Sequence, residues 1–388
     1  MKYYIIAGEA SGDLHGSNLI KELKKLDATA DIRCWGGDMM ESAGATLVKH
    51  YRDLAFMGFI EVARNLPTIF QNMKFCKKDI LSFKPDVVIF IDYPGFNIPI
   101  ATFAKKNGFK TVYYISPQVW AWKEGRVKTL KKVIDKMLVI LPFEKDFYKK
   151  WDYEVEYVGH PLVEVIEESR RCEVRGAKLT ASQPPARRSP GEGGSTVNRQ
   201  LTIALLPGSR KQEISKKLPI MLEVCKFFPD CRFVVAQAPS LADEFILQFT
   251  DLYSNVEIVK GKTYDLLMES DAALVTSGTA TLETALFGIP EVVCYKGSAV
   301  SYEIAKRLIK VKYISLVNLI MDRLVVTELI QDELTPANLK KELESLLFDP
   351  QRRGQLAKDY LELWDMLSKG GHASSKAASS IYHFISIN

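Results

Sequence analysis

A short turn of small and hydroxyl-bearing residues is the first feature of this sequence that could bind a phosphate. Between a strand-like run and an Ala/Leu-rich helical pattern lie Ser277, Gly278, Thr279 and Ala280. Such a turn points backbone N–H groups and the positive end of a helix dipole at an anion. Glu283 lies on the second turn of the helix, where a carboxylate could bind the hydroxyls of a ribose. Alternatively, Ser277 or Thr279 caps one more helix of the fold.

A second turn of the same type precedes Arg210. Gly208 and Ser209 follow an apolar strand-like run that starts at Leu201. The guanidinium group of Arg210 could neutralise a diphosphate as it leaves, or it could be a surface group beside Glu213. Because two such turns occur in one half of the chain, we expect them to bind a nucleoside diphosphate together.

Asp92 is the carboxylate that the sequence places best for general-base chemistry. It ends a continuous apolar strand pattern, where a carboxylate has few structural roles. Burial there would raise its pKa and make it a credible base. Asp92 could instead cap the helix that follows, unless Asn97 takes that role.

The loop after the first strand combines small residues with polar ones. Gly12 and its neighbours allow the backbone to approach a ligand closely, and Glu9, Ser11 and Asp13 add polar side chains. We expect this loop to face a ligand, because its charge density exceeds what a helix cap needs. The alternative is a helix start capped by Ser11 or Asp13.

Aromatic and apolar side chains form two further candidate contact surfaces. Trp120 and Trp122 follow a strand end and could contact a sugar or an acyl group, or could belong to the core. Between residues 54 and 75, apolar residues recur near helical spacing and basic residues flank them. Such a stretch could dock on a bilayer surface, although the pattern alone favours a core-facing helix. The candidate contact residues are Phe56, Met57, Phe59, Ile60, Val62, Leu66, Ile69 and Phe70.

The composition is that of a soluble globular protein long enough for about two domains. The 388-residue chain carries a net charge of only +5, which argues against a dedicated nucleic-acid binder. Its six cysteines are scattered and lack CxxC pairing, so we expect reduced thiols and no zinc site. Met1 leads straight into a strand, and no apolar run reaches the roughly 18 to 20 residues of a membrane span. We therefore expect a cytoplasmic protein whose membrane contact is peripheral.

Strand and helix patterns alternate along most of the chain. Strand patterns occur at 3–8, 46–51, 86–92, 110–116, 136–141, 155–161, 201–208, 232–238, 256–261, 272–276 and 291–296, and the run at 86–92 is continuously apolar. This rhythm predicts an α/β fold with two doubly wound parallel sheets. We expect two Rossmann-like domains that face each other across a cleft, with ligands at the carboxyl ends of the strands.

Changes in composition predict the domain boundaries. We assign residues 1–166 and 201–355 to the two Rossmann-like domains. Residues 167–200 are rich in Arg, Ser, Pro and Gly, which predicts a flexible linker or, alternatively, a basic or phosphorylated binding segment. Helical patterns in 356–388 could pack back on the first domain or on the partner chain of a homodimer.

Nine short motifs, in order along nearly the whole chain, resemble the lipid-A-disaccharide synthases of glycosyltransferase family 19. Named by their first residue number, they are GEASGD (8), FMGFIEV (56), IDYPGFN (91), YYISPQVWAW (113), PFEKDFY (142), VGHP (158), LPGSR (206), SGTATLE (277) and SLVNLI (315). The resemblance implies a GT-B glycosyltransferase. It also implies transfer of 2,3-diacylglucosamine from its UDP donor to the 6-hydroxyl of 2,3-diacylglucosamine 1-phosphate. The products would be the β(1→6) disaccharide 1-phosphate and UDP.

The resemblance also implies roles for individual residues. Asp92 matches the family's essential aspartate, the proposed base for the acceptor hydroxyl. Arg210, Glu283 and Asn318 match positions expected around UDP. The stretch 56–73 matches the region associated with membrane and acyl-chain contact. These matches favour an acceptor and membrane side in the first domain, a UDP-sugar site in the second, and peripheral association with the inner membrane.

Two departures from the family pattern stand out. Gly95 occupies a position where the family commonly has a second aspartate, so any role for that carboxylate is absent. The segment 167–200 has no family counterpart that we recognise.

The expected mechanism is an inverting single displacement, because an α-linked donor becomes a β-glycoside. One base, Asp92, then suffices. Arg210 and the N–H groups at Ser277–Ala280 would stabilise the departing UDP, a role that a divalent metal would otherwise fill, so we expect no metal and no cofactor. Two alternatives are a UDP-sugar 2-epimerase, which shares the two-domain fold, and a non-catalytic sugar-nucleotide or lipid-binding protein.

Overall fold

A computed structural model of the chain describes residues 1–54, 66–176, 199–298, 302 and 311–386. Within it the chain forms two compact units. Unit 1 comprises Met1–Glu164 together with the segment from Leu367 onward, and unit 2 comprises Val165–Met366. The predicted helix over 299–310, most of the predicted linker (177–198) and the first part of the apolar stretch (55–65) lie outside the described residues.

Unit 1 is built on a parallel sheet whose strands are almost entirely apolar. The strands are β1 (Lys2–Ala7), β2 (Asp31–Gly36), β3 (Thr46–His50), β4 (Val87–Ile91), β5 (Lys110–Tyr114), β6 (Lys136–Val139) and β7 (Glu156–Tyr157). Their order is β3-β2-β1-β4-β5-β6-β7, which places β1 and β4 side by side. The loops that follow these two strands, including Glu9 and Asp92, therefore leave the sheet at the same edge.

Helices cover both faces of this sheet. They are α1 (Ala10–Leu26), α2 (Asp38–Ser42), α3 (Leu66–Phe83), α4 (Pro94–Lys106), α5 (Val119–Trp122), α6 (Val127–Val133), α7 (Glu144–Lys149) and, after unit 2, α16 (Ala373–Ser386). Helix α8 (Pro161–Gly176) starts in unit 1 and continues into unit 2. Alternate residues of β1 belong to two different hydrophobic cores. Tyr4 and Ile6 belong to one core, and Tyr3, Ile5 and Ala7 belong to the other. This alternation is the period-2 pattern of a strand buried on both faces.

Helix α16 packs against unit 1. Its buried side chains include Ala377 and Ile381, which share a core cluster with Leu19 and Leu23 of α1. Alanines on the packed face allow the two helices to approach closely. The chain therefore returns to unit 1 after completing unit 2.

Unit 2 repeats the βα plan. Its strands are β8 (Thr202–Leu206), β9 (Arg232–Gln237), β10 (Val256–Lys260), β11 (Ala272–Thr276), β12 (Glu291–Tyr295) and β13 (Thr327–Ile330). They form a parallel sheet in the order β10-β9-β8-β11-β12-β13. Its helices are α9 (Lys211–Glu223), α10 (Asp243–Thr250), α11 (Thr263–Glu269), α12 (Thr279–Leu286), α13 (Leu316–Met321), α14 (Pro336–Phe348) and α15 (Pro350–Ser368). Both sheets confirm the predicted doubly wound α/β class.

The linker prediction needs correction at its start. Helix α8 continues past Glu167, where we placed the beginning of the linker, and is described as far as Gly176. Pro161 opens this helix in the position where proline is favoured, and Leu162, Val163 and Ile166 bury its first turns. No proline or glycine interrupts residues 167–175, so no helix-breaking residue stops the helix at Glu167.

Candidate active site

The two glycine turns of unit 2 lie beside each other because their strands are neighbours. Strand β8 pairs with β11 in parallel, with Leu206 opposite Val275. The backbone therefore turns at the carboxyl edge of the sheet after each of these two strands. Gly208 has a φ of +105°, and a Cβ there would lie 3.3 Å from Thr276 Cγ2. A side chain at this position would be strained and would crowd the other turn.

The turn before α12 leaves its backbone donors available. Gly278 is the N-cap residue, with φ of +133°, and no side chain caps the helix among the residues described. The alternative that Ser277 or Thr279 caps the helix is therefore wrong. Gly278 and Thr279 are exposed and Ala280 is half-buried. The first N–H groups of the helix thus face solvent, as an anion site requires.

Arg210 follows the first glycine turn as the N-cap residue of α9, and its side chain is exposed. Its Nη1 lies 3.2 Å from Glu213 Oε1, and 60% of the Arg210 side chain is accessible. The predicted pairing with Glu213 is therefore present. It does not exclude anion binding, because an exposed ion pair is weak and the guanidinium group has further donors.

Lys217 is a cation of this region that the sequence analysis missed. Its side chain is only 3% exposed, its Nζ donates a hydrogen bond to Thr276 Oγ1, and Glu213 Oε2 lies 3.6 Å away. Burial lowers the pKa of Lys217, while Glu213 opposes that shift. The only signal in the sequence is its i,i+4 spacing from Glu213, which does not reveal that Thr276 is a neighbour.

Glu283 is held by a tyrosine from another helix. The Tyr264 hydroxyl donates a 3.1 Å hydrogen bond to Glu283 Oε1. Burial raises the pKa of Glu283, and the hydrogen bond from Tyr264 lowers it. The carboxylate lies on the second turn of α12, as predicted.

Asn318, which is predicted to contact UDP, has its side-chain amide hydrogen-bonded within the protein. Its side chain is fully buried, and its Nδ2 donates to Val326 O at 2.8 Å and to Glu328 Oε1 at 2.9 Å. Its Oδ1 accepts from the N–H groups of Val325 and Val326. All donors and acceptors of the amide are used, so Asn318 shapes the turn between α13 and β13.

In unit 1, Asp92 occupies a turn with a strained backbone. Asp92 and Tyr93 have φ values of +42° and +49°, which non-glycine residues seldom adopt. The Asp92 carbonyl oxygen accepts hydrogen bonds from Asn97 Nδ2 at 2.7 Å and from Tyr113 Oη at 2.5 Å. Tyr93, not Asp92, is the N-cap residue of α4. The capping alternative for Asp92 is therefore wrong, and its carboxylate is not used as a cap.

The Asp92 carboxyl group has the acidity of a base that works near neutral pH. Burial raises its pKa, and the negative charge of Glu9 raises it further, to about 6. Glu9 is the N-cap residue of α1, but its side chain makes no capping hydrogen bond. The structure thus brings two predicted site residues, Glu9 and Asp92, into electrostatic contact.

Asn97 and Asp13, both predicted acceptor contacts, form hydrogen bonds with the backbone. Asn97 is fully buried and lies inside α4, where it supports the Asp92 turn and does not cap the helix. Asp13 is buried, and its carboxylate accepts from the N–H groups of Gly37, Met39 and Met40. Asp13 therefore caps the start of α2, although it lies on a different helix.

Ser11 and Gly12, predicted to lie in a loop, belong to the first turn of α1 and differ in exposure. Ser11 is exposed and stays a candidate contact. Gly12 is buried, and a Cβ there would lie 3.0 Å from Ala7 Cβ. Its role here is close packing of α1 on β1.

The tryptophan and apolar candidates separate into buried and exposed residues. Trp120 is only 8% exposed, and its ring meets Phe143 edge-on at 5.0 Å, so it belongs to the core. The Trp122 side chain lies outside the described part of the structure, as do Phe56, Met57, Phe59, Ile60 and Val62. On α3, Leu66 and Phe70 are 44% and 64% exposed and Ile69 is half-buried. Within the described part of this stretch, Leu66 and Phe70 therefore do not lie in the core.

Among the described residues, no group of three or more His, Cys, Asp or Glu side chains could hold a metal ion. Among the described helices, none combines the length and the apolar character needed to cross a bilayer.

Solved structures with other sequences share this fold. A UDP-GlcNAc 2-epimerase from Neisseria meningitidis bound to UDP-GlcNAc superposes with a TM-score of 0.65 at 13% identity, and all of both chains is covered. The glycosyltransferase of kitacinnamycin gives 0.63 at 15% identity, with 99% of each chain covered. At such low identity these likenesses show the fold alone, which is the predicted GT-B type with two Rossmann-like domains.

Sequence comparison identifies the family. The family model for lipid-A-disaccharide synthetase matches residues 3–382. The lipid-A-disaccharide synthase of Syntrophus aciditrophicus is 39% identical over 383 residues, which cover 97% of this chain and 96% of that protein. That of Geobacter metallireducens is 39% identical over 374 residues, which cover 95% and 93%. The chain therefore belongs to the lipid-A-disaccharide synthetase family of glycosyltransferases.

Proposed function

We propose that this protein transfers 2,3-diacylglucosamine from its UDP donor to the 6-hydroxyl of 2,3-diacylglucosamine 1-phosphate. The observation that carries the proposal is the match of the whole chain to the family, joined to an aspartate with a raised pKa at the predicted base position. The products are the β(1→6) disaccharide 1-phosphate and UDP. The fold alone would suit a UDP-sugar 2-epimerase equally well, but the family match favours transfer.

In the proposed reaction, Asp92 accepts the proton of the acceptor 6-hydroxyl. The oxygen attacks the anomeric carbon of the donor from the face opposite UDP, a new C–O bond forms, and the bond to the diphosphate breaks. Configuration inverts because there is a single displacement. A carboxylate with a pKa of about 6 is ionised at neutral pH yet still basic enough to share a proton in the transition state.

The leaving diphosphate is assigned to the paired turns of unit 2. Free N–H groups at the start of α12 and the exposed guanidinium group of Arg210 supply donors and positive charge. Lys217, buried beneath both turns, adds a second cation. Ser209 is exposed beside Arg210 and stays a candidate contact.

Peripheral binding to the cytoplasmic face of the inner membrane is part of the proposal. Both substrates are acylated, and α3 exposes Leu66 and Phe70 next to lysines at 74, 77 and 78. Exposed apolar residues flanked by basic ones are typical of surfaces that bind anionic bilayers.

A direct assay tests the proposed reaction. The purified chain is incubated with both acylated substrates in detergent, and UDP and disaccharide 1-phosphate are measured together. We expect equal amounts of the two products, and no UDP when the acceptor is omitted. Conversion of the UDP-sugar without acceptor would indicate an epimerase, and binding without turnover would indicate a non-catalytic protein.

A further inference from the structure

Tyr264 and Glu283 form a hydrogen-bonded pair from two different helices of unit 2. Tyr264 is the second residue of α11, and its hydroxyl lies 3.1 Å from Glu283 Oε1 on α12. The Tyr264 ring packs against Phe287, with the ring centroids 5.1 Å apart. The ring is therefore held in place, and the hydroxyl is fixed where it meets the carboxylate.

The pair leaves half of the carboxylate free. Tyr264 is the one hydrogen-bond partner of Glu283 found within the described part of the chain, and it occupies Oε1. The second oxygen, Oε2, keeps lone pairs that can accept a hydrogen bond from a ligand hydroxyl. A tyrosine hydroxyl that donates to one oxygen also favours the ionised form of a half-buried carboxylate.

The position of the pair fits the sugar of a nucleotide. Glu283 lies on the second turn of α12, whose first turn carries the N–H groups assigned to the diphosphate. A ribose joined to that diphosphate would lie within about one helical turn of it, which is roughly 5 Å. A carboxylate oriented at this distance can accept from a ribose hydroxyl through a charge-assisted hydrogen bond.

We propose that Tyr264 is a positioning residue that orients the Glu283 carboxylate toward a ribose hydroxyl, and that it thereby makes the site selective for ribonucleotides over deoxyribonucleotides. The inference rests on the proposed function, since it takes UDP as the ligand. It adds a residue that does not itself contact UDP and a selectivity that the reaction alone does not require.

The test measures nucleotide affinity by calorimetry with UDP, 2′-deoxy-UDP and 3′-deoxy-UDP. Wild type should bind UDP more tightly than at least one deoxy analogue. Tyr264→Phe keeps the ring and its contact with Phe287 but removes the hydroxyl, so UDP affinity should fall about 3- to 10-fold, as for loss of one hydrogen bond. Affinity for the discriminated analogue should stay nearly unchanged.

A matched control exists in the same unit. Tyr253 donates a 2.9 Å hydrogen bond to Glu223 Oε1, so Tyr253→Phe removes the same kind of interaction away from the two turns. Its UDP affinity should equal that of wild type. In a Glu283→Gln background, Tyr264→Phe should cause little further loss, because the two residues act as one unit.

The outcomes separate this inference from the proposed function. A wild-type chain that binds no UDP would overturn both. If wild type binds UDP, an unchanged affinity in Tyr264→Phe would overturn the inference alone. An equal loss for UDP and both deoxy analogues would also overturn it, because the tyrosine would then support the fold and not the orientation of Glu283.

Discussion

Asp92 combines a strained backbone with a carboxylate that is not used in capping, a combination common at catalytic positions. We predict that Asp92→Asn folds normally, because the bonds that hold the turn use its main-chain carbonyl and asparagine tolerates positive φ. Turnover should fall by roughly 10²-fold or more, since an amide cannot accept the hydroxyl proton. Steady-state kinetics and circular dichroism measure the two quantities.

Asp152 offers a matched control for this substitution. It is an exposed aspartate of unit 1 with φ of +49°, so Asp152→Asn makes the same chemical change in a similar backbone conformation. Its turnover should match wild type. Near-normal activity of Asp92→Asn would remove Asp92 as the base.

The charge of Glu9 should set the pH range in which Asp92 works. Asp92 has a pKa of about 6, so kcat/KM should fall as the pH drops through that value and the base becomes protonated. Glu9 raises this pKa, and Glu9→Gln removes its charge. The acid limb of the pH profile should therefore move to lower pH. A limb that stays in place, or moves upward, would contradict the electrostatic coupling.

Arg210 is expected to contribute to UDP binding far more than to stability. Its only ion pair described here, with Glu213, is exposed, so Arg210→Ala should change the free energy of unfolding by less than about 1 kcal/mol. Loss of charge-assisted hydrogen bonds should weaken UDP binding about 10- to 100-fold by calorimetry. Arg232→Ala, which breaks the pair with Glu257 at the start of β9, is the control. Unchanged UDP affinity in Arg210→Ala would exclude this assignment.

At the residue scale, the sequence indicates candidate carboxylates but not the hydrogen-bond partners of polar side chains. Asp92 and Glu283 stand out as candidates because a carboxylate at a strand end, or on a helix after a glycine turn, is visible in the local pattern. Asn318 and Asp13 carry the same polar atoms, but those atoms bind N–H groups on other elements. Such tertiary contacts leave no local pattern, so a backbone-holding residue and a ligand-binding one look alike in sequence.

Among the elements, strand β12 begins with a residue that ordinary strand patterning would exclude. Glu291 is fully buried, and neither carboxylate oxygen has a hydrogen-bond partner in the described structure. Burial raises its pKa well above the usual range. The folded state therefore holds the proton, while the unfolded chain releases it at the ordinary pKa of about 4.5. As the pH rises above that value, unfolding is favoured and stability falls.

Replacing this carboxyl group by an apolar side chain of similar length should stabilise the protein at high pH. Glu291→Met removes the unsatisfied group, which we expect to raise the free energy of unfolding at pH 8 by about 1–3 kcal/mol. Because wild-type Glu291 is neutral in both states at low pH, the gain should shrink toward pH 4. Denaturant titrations at both pH values measure it. A Met variant that is less stable at pH 8 would show that Glu291 has a partner.

Strands made of a continuous apolar run could be predicted from the sequence. Strands β2 and β13, which mix polar and apolar residues, could not. Strands β8 and β11 are continuous apolar runs, and both were predicted. Strand β2 contains Asp31 and Arg33, and β13 has only four residues, two polar ones followed by two apolar ones. Neither sequence can be distinguished from that of a loop by its pattern of polar and apolar residues. Both are strands because a neighbouring strand supplies their hydrogen bonds.

For the molecule as a whole, the rhythm of strands and helices was sufficient to predict two doubly wound sheets. It left open whether the C-terminal helices return to the first domain or pack on a partner chain, because the return through α16 depends on a shared core between Ala377, Ile381 and the distant α1. Helix patterns indicate an apolar face but not the surface that covers it.

The exposed face of α3 predicts that the protein binds a membrane surface. Phe70 is 64% exposed, so a charge there costs little folding stability, yet insertion of its ring into a bilayer would contribute about 1.5–3 kcal/mol. We predict that Phe70→Glu reduces flotation with anionic liposomes about 10-fold or more, and that wild-type flotation weakens with salt because nearby lysines attract the lipid headgroups. Leu252→Glu is the control, since Leu252 is 90% exposed in unit 2 outside the predicted contact stretch. Equal flotation of wild type and Phe70→Glu would exclude α3 as the membrane contact, whereas equal losses in both variants would indicate a non-specific charge effect.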